Sequence, residues 1–267
     1  MPLEPKNVVL IGAGHVAFHL GKALKRGGNK LLLLINRDQK KGERLAFELG
    51  CKFTTDFKAI PEETEVVILA VKDDAISEVA SKIFCPGKVV AHTSGSVPMS
   101  ALGDASDRLG VFYPLQTMHR GSEVNMKEVP FSIEGNSNWN EGMLLELARS
   151  VSDNVQILNS EQRRITHIAA VFACNFTNHF YALADDILQK SGMDLDILRP
   201  LIRKTANNIN NGHPKELQTG PAKRNDTQVM QEHLDMLEKV SPELKKLYED
   251  VSESIIKMHQ ASTDDGA

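Results

Sequence analysis

The sequence has few cysteines, no long apolar run and no strong charge bias, and each absence narrows what the chain can be. Its three cysteines, Cys51, Cys85 and Cys174, are widely spaced and form no Cys-x-x-Cys pair. That spacing excludes a disulfide framework or a zinc-ligand pattern and leaves buried free thiols. The longest purely apolar run is Leu31 to Ile35, far short of the ~20 residues a membrane-spanning helix needs. The start, Met1-Pro2-Leu3-Glu4, carries an acid and no signal-peptide core, so a cytoplasmic protein without membrane association is expected. A formal net charge of -4 gives no general attraction for phosphate backbones. No local basic patch stands out, so no nucleic-acid partner is expected. What is present is ordinary globular composition, 41% hydrophobic and 25% charged, in a length that suits two domains.

Residues 7 to 158 alternate short β-branched or leucine-rich runs with helical stretches, the pattern of a mostly parallel sheet covered on both faces. The expected strands are Asn7–Ile11, Lys30–Asn36, Val66–Val71, Val89–His92, Gly110–Tyr113, Phe131–Glu134 and Val155–Leu158. From residue 159 onward no strand-like run appears and long amphipathic segments take over, so residues 159–267 form an expected all-helical domain. Ser160 opens a segment without Gly or Pro as far as Ser191, a helix of roughly 45 Å at ~1.5 Å per residue. Further helices fit Leu195–Asn211, Thr227–Val240 and Pro242–Gln260. The long helix in a small domain implies a homodimer.

Gly12-Ala13-Gly14-His15-Val16-Ala17 follows the first strand directly and opens a helix that runs to about Arg26. This is a G-x-G-x-x-A dinucleotide fingerprint in its required context. The first glycine allows the tight turn, the second lets backbone approach a pyrophosphate, and the small Ala17 lets helix pack on strand. The second strand ends in Asn36-Arg37, where an NAD-selective protein carries an acid for the ribose 2′-hydroxyl. Asn36 can bond the ribose and Arg37, with Lys40 and Lys41, can neutralise a 2′-phosphate, so the expected cofactor is NADP. Arg37, Lys40 and Lys41 also fit a solvated helix start, and Asp38 is close enough to turn toward a ribose. Ala70, Val71 and Lys72 end the next strand, where they would line the cofactor. The acids that follow, Asp73 and above all Asp74, fit a helix start.

Gly-Ala-Gly-His-Val-Ala, then Asn-Arg, then Ala-Val-Lys-Asp-Asp, resembles the Rossmann domain of the 6-phosphogluconate-dehydrogenase-like NADP oxidoreductases, among them pyrroline-5-carboxylate reductases and deazaflavin-dependent NADP reductases. His92-Thr93-Ser94-Gly95-Ser96, Tyr113-Pro114-Leu115-Gln116-Thr117 and Thr219 to Asp226 resemble a bacterial family that adds a helical C-terminal domain of unknown function. The resemblance implies a doubly wound Rossmann sheet, an NADP site and a small-molecule substrate. It puts Ser94 and Gly95 beside the nicotinamide, although Ser94 also suits a cap for a helix at Met99. It makes Tyr113 and Gln116 substrate contacts, although a proline after an aromatic also ends a strand.

On the long helix His167, Val171, Cys174, Asn175, Asn178 and Ala182 fall along one side. In related hydroxyacid dehydrogenases a Lys donates the proton to the carbonyl, with an Asn four residues later. If Asn175 matches that Asn, the Lys position is Val171, and no Lys occurs in this segment before Lys190. His167 is the nearest titratable substitute. The expected active set is therefore Ser94, Tyr113, Gln116, His167 and Asn175, converging on one pocket. The resulting function is NADP(H)-dependent hydride transfer to or from a small substrate. The missing lysine equally suits an NADP-binding sensor without turnover, and the fold admits other nucleotide-dependent chemistry.

Overall fold

The computed structural model describes residues 4–264. The chain divides into two compact units, Met1–Thr177 and Asn178–Ala267. The first unit runs β1 (Asn7–Ile11), α1 (His15–Arg26), β2 (Lys30–Ile35), α2 (Gln39–Leu49), β3 (Lys52–Thr54), β4 (Val66–Leu69), α3 (Ile76–Ala80) and β5 (Val89–His92), and continues with β6 (Arg108–Pro114), β7 (Phe131–Gly135), α4 (Asn138–Val151), β8 (Val155–Ile157) and α5 (Ser160–Ala170). Its strands form one sheet in the order β3-β2-β1-β4-β5-β6-β7-β8, parallel throughout except for the antiparallel β6–β7 pair. This is the expected doubly wound, mostly parallel sheet.

Alternation along the strands divides the core. Val8 and Leu10 of β1 pack into one cluster with Leu20 and Leu24 of α1 and Leu144 and Leu147 of α4. Val9 and Ile11 point the other way, into a cluster with Ile76 and Val79 of α3. A strand covered on both faces needs apolar residues at consecutive positions, which is why β1, β4 and β5 are almost wholly apolar.

The chain winds outward from β1 through β2 to β3, then returns to β1's other side as β4. The order therefore reverses between β1 and β4, and a crevice opens at the carboxyl ends of those two strands. Gly12 makes that junction possible. Its φ is +118°, and a Cβ there would lie 2.2 Å from the Ala70 carbonyl oxygen. Its amide donates to the Ile35 carbonyl (2.8 Å), while the Ala70 amide donates to the Ile11 carbonyl (2.8 Å).

The structure departs from these expectations at several points. Strand β3 has only the three residues Lys52–Thr54, too few to show a period. The helix expected from Ser160 to Ser191 is not uniform, because Val171–Phe176 is a π-helical turn between α5 and α6 (Thr177–Gln189). There the Thr177 hydroxyl donates to the carbonyl of Phe172 at 3.3 Å, a side-chain bond that competes with the ordinary i to i−4 ladder. The helix expected over Leu195–Asn211 becomes a 3-10 turn at Leu195–Ile197 followed by α7 (Arg199–Asn208). Pro200 in the first turn of α7 has no N–H and would clash with the carbonyl four residues back in one continuous helix. The second unit then continues with α8 (Pro221–Arg224), α9 (Thr227–Val240) and α10 (Pro242–Asp264). Of the cysteines, Cys85 is buried but Cys174 is exposed.

Strand β5 ends in His92, which is completely buried. Burial, and next the positive charge of Arg163, hold its pKa down to about 4. The carboxylates of Asp73 and Glu134 and a weak contact to the Pro98 carbonyl oppose that shift, but Nε2 finds no partner at normal hydrogen-bond distance. The imidazole is therefore neutral in the fold and charges only on unfolding below the ordinary histidine value of 6.5. Between about pH 6.5 and pH 4 the unfolded chain gains a proton that the folded chain refuses, so stability present above pH 6.5 is lost as pH falls. The expected loss is on the order of 3 kcal/mol. Urea unfolding across that range should show a steeper fall for the wild type than for His92→Asn, which keeps an acceptor near the Nδ1 position. Parallel pH dependences would refute the assignment.

Candidate functional site

At the switch point, α1 begins without a side-chain cap on Gly14. A Cβ on Gly14 would meet nothing within 4 Å, so the free amides of the first turn face open space. Amides and helix dipole together favour an anion there. Behind them Ala17 is fully buried, as close packing of helix on strand requires. Ala13 and Val16 are half-buried beside it, and His15 is exposed at the helix start. His15 Nδ1 accepts from the Arg120 amide (3.0 Å), and His19 Nε2 lies 2.8 Å from the His119 carbonyl oxygen. The segment after β6 is thus tied to α1, a pairing that sequence proximity could not suggest.

At the end of β2, the Asn36 side-chain amide donates to the Asp38 carbonyl (2.8 Å). The Asp38 carboxylate accepts the Lys41 amide at 3.0 Å as the N-cap of α2, which also lowers its pKa. Asp38 therefore serves the helix and does not turn toward a ribose. Arg37 and Lys40 are exposed at the same strand end, and Lys41 is ion-paired to Asp38 at 3.5 Å. Ala70 is buried, Val71 half-buried and Lys72 exposed beside the glycine loop. A tight junction that only glycine fits, an uncapped helix start and a cationic β2 end without a ribose-seeking acid fit NADP.

Farther along the sheet edge a second group assembles around the loop after β5. Thr93 Oγ1 donates to the Leu69 carbonyl (3.3 Å). The Ser94 hydroxyl accepts the amides of Ser96 (3.1 Å) and Val97 (3.0 Å), so its observed work is to cap the turn. Gly95 is the floor of the group. A Cβ there would lie 2.6 Å from Cζ of Tyr113 and 2.8 Å from Nδ1 of His167. Above it, Tyr113 Oη and His167 Nδ1 are 3.0 Å apart and hydrogen-bonded. Tyr113 is buried, and its phenol pKa is pushed up to about 12, first by burial and then by the charge of Asp73, against the opposing effect of Arg163. The phenol is neutral and carries its proton at any physiological pH.

Of the expected active set, Ser94, Tyr113 and His167 come together with Gly95. Gln116 does not join them: it is exposed, and its side-chain oxygen accepts the amide of Thr117 (2.8 Å). Asn175 is exposed on the π turn Val171–Phe176. Sequence reading missed Asp73, Glu134 and Arg163. Asp73 stands at a helix start as expected, the 3-10 turn Asp73–Ala75, but its carboxylate also reaches the loop after β5 and accepts the Ser96 hydroxyl at 2.5 Å. Arg163 is fully buried and ion-paired to Glu134 of β7. Its one sequence signal was its place four residues before His167, hence on the same helix face. Among the described residues no group of His, Cys, Asp or Glu could hold a metal ion, and no helix is long and apolar enough to cross a membrane.

Residues 7–94 match the family model of the coenzyme F420-dependent NADP oxidoreductases, and residues 129–255 match a domain of unknown function, DUF2520. A 48-residue stretch is 52% identical to glutamyl-tRNA reductase of Methanocaldococcus jannaschii, but the match spans only 12% of that relative's length and 18% of this chain. The fold is similar to 1-pyrroline-5-carboxylate reductase from Streptococcus pyogenes, with a TM-score of 0.63 and 14% identity over 95% of this chain and 98% of that one. The crystal structure of a Bacteroides fragilis protein designated an NADP oxidoreductase superposes with a TM-score of 0.87 and is 39% identical, over 96% of this chain and 99% of that one. With the glycine junction, the uncapped α1 and the acid-free end of β2 all in place, the chain belongs to the same family of NADP oxidoreductases as that Bacteroides protein.

Proposed function

We propose that the chain is an NADP(H)-dependent reductase or dehydrogenase of a small molecule bearing a carbonyl or imine, with Tyr113 and His167 managing the proton. The Tyr113–His167 hydrogen bond, stacked over Gly95, carries this reading. When bound, NADPH supplies hydride from its nicotinamide ring. Gly12 to Ala17 hold the pyrophosphate, Asn36 and Arg37 the phosphorylated ribose, and Ala70 to Lys72 with Ser94 and Gly95 the remainder of the cofactor. Tyr113 Oη holds the proton that passes to the substrate oxygen or nitrogen; His167 Nδ1–H replaces it on the phenol oxygen while the ring's Nε2 takes a proton from solvent, so that both rings end neutral. A neutral, desolvated phenol suits a donor because its hydrogen bond is strong away from water, and its partner restores the charge balance. The pair takes the role that lysine has in related hydroxyacid dehydrogenases. A reducing, cytoplasmic setting suits the free thiols of Cys51, Cys85 and Cys174.

The same reading includes a homodimer. In the second unit Ala222 is the one hydrophobic residue that is buried among those described, while Phe180, Ile197, Leu201, Ile209 and Met236 are 43–68% exposed. An apolar groove of about 380 Å³ runs between α6, α9 and α10, lined by Leu183, Ile187, Leu237, Leu247, Val251 and Ile255. Helices with so little core gain stability by burying that surface against a second copy, at ~25 cal/mol per Å².

Three measurements test this. In a turnover screen of imines, 2-keto acids and deazaflavin with NADPH, Tyr113→Phe should lose ~100-fold or more in kcat, His167→Asn somewhat less, and both should keep NADPH Kd within about twofold. Full activity of Tyr113→Phe would remove the phenol from the mechanism. An intact chain that binds NADPH and turns over none of these would instead be a sensor. The wild type should bind NADPH more tightly than NADH, and Arg37→Ala should cut that preference by roughly tenfold, about 1.4 kcal/mol. Equal affinities in the wild type would exclude the assignment of Arg37. Light scattering at micromolar concentration should give twice the 29.5 kDa chain mass, and a monomer across that range would contradict the dimer.

A further inference from the structure

Arg163 is fully buried near the start of α5, and no part of the cofactor or proton chemistry just described uses it. Its Nη1 is ion-paired to the Glu134 carboxylate. Its Nη2 donates to the Val97 carbonyl (2.7 Å) and to the Ser160 hydroxyl (3.3 Å). Glu134 in turn accepts the Ser160 amide (3.1 Å) and its hydroxyl (2.9 Å). One guanidinium therefore joins three otherwise separate pieces: strand β7, the first turn of α5 and the far end of the loop after β5.

We propose that Arg163 is a positioning residue for the Tyr113–His167 pair, acting by fixing both the loop beneath the pair and the helix that carries one of its members. The proposal rests on the function assigned to that pair. On the helix side, His167 is four residues beyond Arg163, so anchoring Arg163 to Glu134 sets the rotation that aims the imidazole at Tyr113. On the loop side, the Val97 carbonyl ends the turn that Ser94 begins, and Gly95 lies within that turn. A shift of the turn by a few tenths of an ångström would move the Gly95 floor into, or away from, a phenol with no spare room. Both jobs need a planar fork with donors in two directions. A lysine ammonium could neutralise Glu134 but could not also hold the Val97 carbonyl in the same geometry.

The test compares Arg163→Lys, Arg163→Met and Glu134→Gln in the full-length chain, with two readouts. The first is the split between kcat, KM and NADPH affinity. Arg163→Lys should lose ~100-fold in kcat while KM and NADPH Kd stay within about threefold. The second needs no turnover: long-range 15N–1H spectra of the histidine rings, with Tyr113→Phe as the reference for a broken Tyr113–His167 bond. Arg163→Lys should move the His167 Nδ1 resonance toward its position in Tyr113→Phe, and Glu134→Gln should move it part of the way. If Arg163→Met does not fold, the lysine and glutamine variants decide alone. In Arg163→Met the His92 resonances should also titrate at a pH above about 4, since a charge that opposes its protonation is gone. A folded Arg163→Lys with wild-type His167 resonances would overturn the proposal, whatever its activity. His167 resonances that move while Tyr113→Phe remains fully active would leave the positioning intact and defeat the catalytic reading of the pair.

Discussion

The buried ion pair between Arg163 and Glu134 is the contact on which the candidate active site depends. Such a pair is a poor source of net stability, because taking both charges out of water costs several kcal/mol and their attraction does little more than offset it. Removing one partner is another matter, since the remaining buried charge typically costs ~3–5 kcal/mol. The value of the pair is therefore geometric. It sits where an antiparallel strand, a helix start and a loop meet, and none of the three is hydrogen-bonded to the others by regular backbone pairing at that point. An apolar cluster of equal volume would fill the space but would leave the rotation of α5 and the height of the 94–97 turn set only by packing.

The charge also has an electrostatic effect on its surroundings. Arg163 depresses the pKa of His92 and opposes the rise at Tyr113, while Asp73 acts in the reverse sense on both. One cation and one exposed carboxylate thus bracket two buried polar rings. Burial outweighs either charge in both rings, so His92 stays neutral and Tyr113 stays protonated. The nucleotide end of the sheet needs no such arrangement. In the proposed site backbone amides and an uncapped helix would hold the pyrophosphate, and the surface cations at the end of β2 would choose between cofactors.

How much of this was legible depended on whether the information was local. Strand β1, the glycine loop and α1 are local: each residue's role follows from its neighbours, Asn7–Ile11 has the expected bounds, and α1 ends at Arg26 as expected. The missing acid after β2 was equally legible, although only the cap bond of Asp38 to Lys41 decides which way that residue faces. The site around Gly95 was half legible. Tyr113 and His167 could be named from strand-end and helix positions, but their bond joins residues 54 apart in sequence. The pairing of Glu134 with Arg163 was not legible. In isolation each looks like an ordinary charge beside an element boundary, and only the tertiary fold turns the two into a buried pair.

The two helix positions compared with the lysine and asparagine of related dehydrogenases share one irregular turn. Val171 and Asn175 both lie within Val171–Phe176, where an extra residue per turn changes the phase by about 100° relative to an α-helix. His167, on the α-helical side of the break, keeps its phase with Arg163, while Asn175 inside the π turn is exposed. Tyr113, by contrast, reaches the same region from the end of a strand whose register with β5 and β7 is fixed on both sides. A proton donor carried by such a strand is insensitive to how the helix winds, and within the proposed mechanism that makes a phenol on β6 a sound replacement for an amine on the helix.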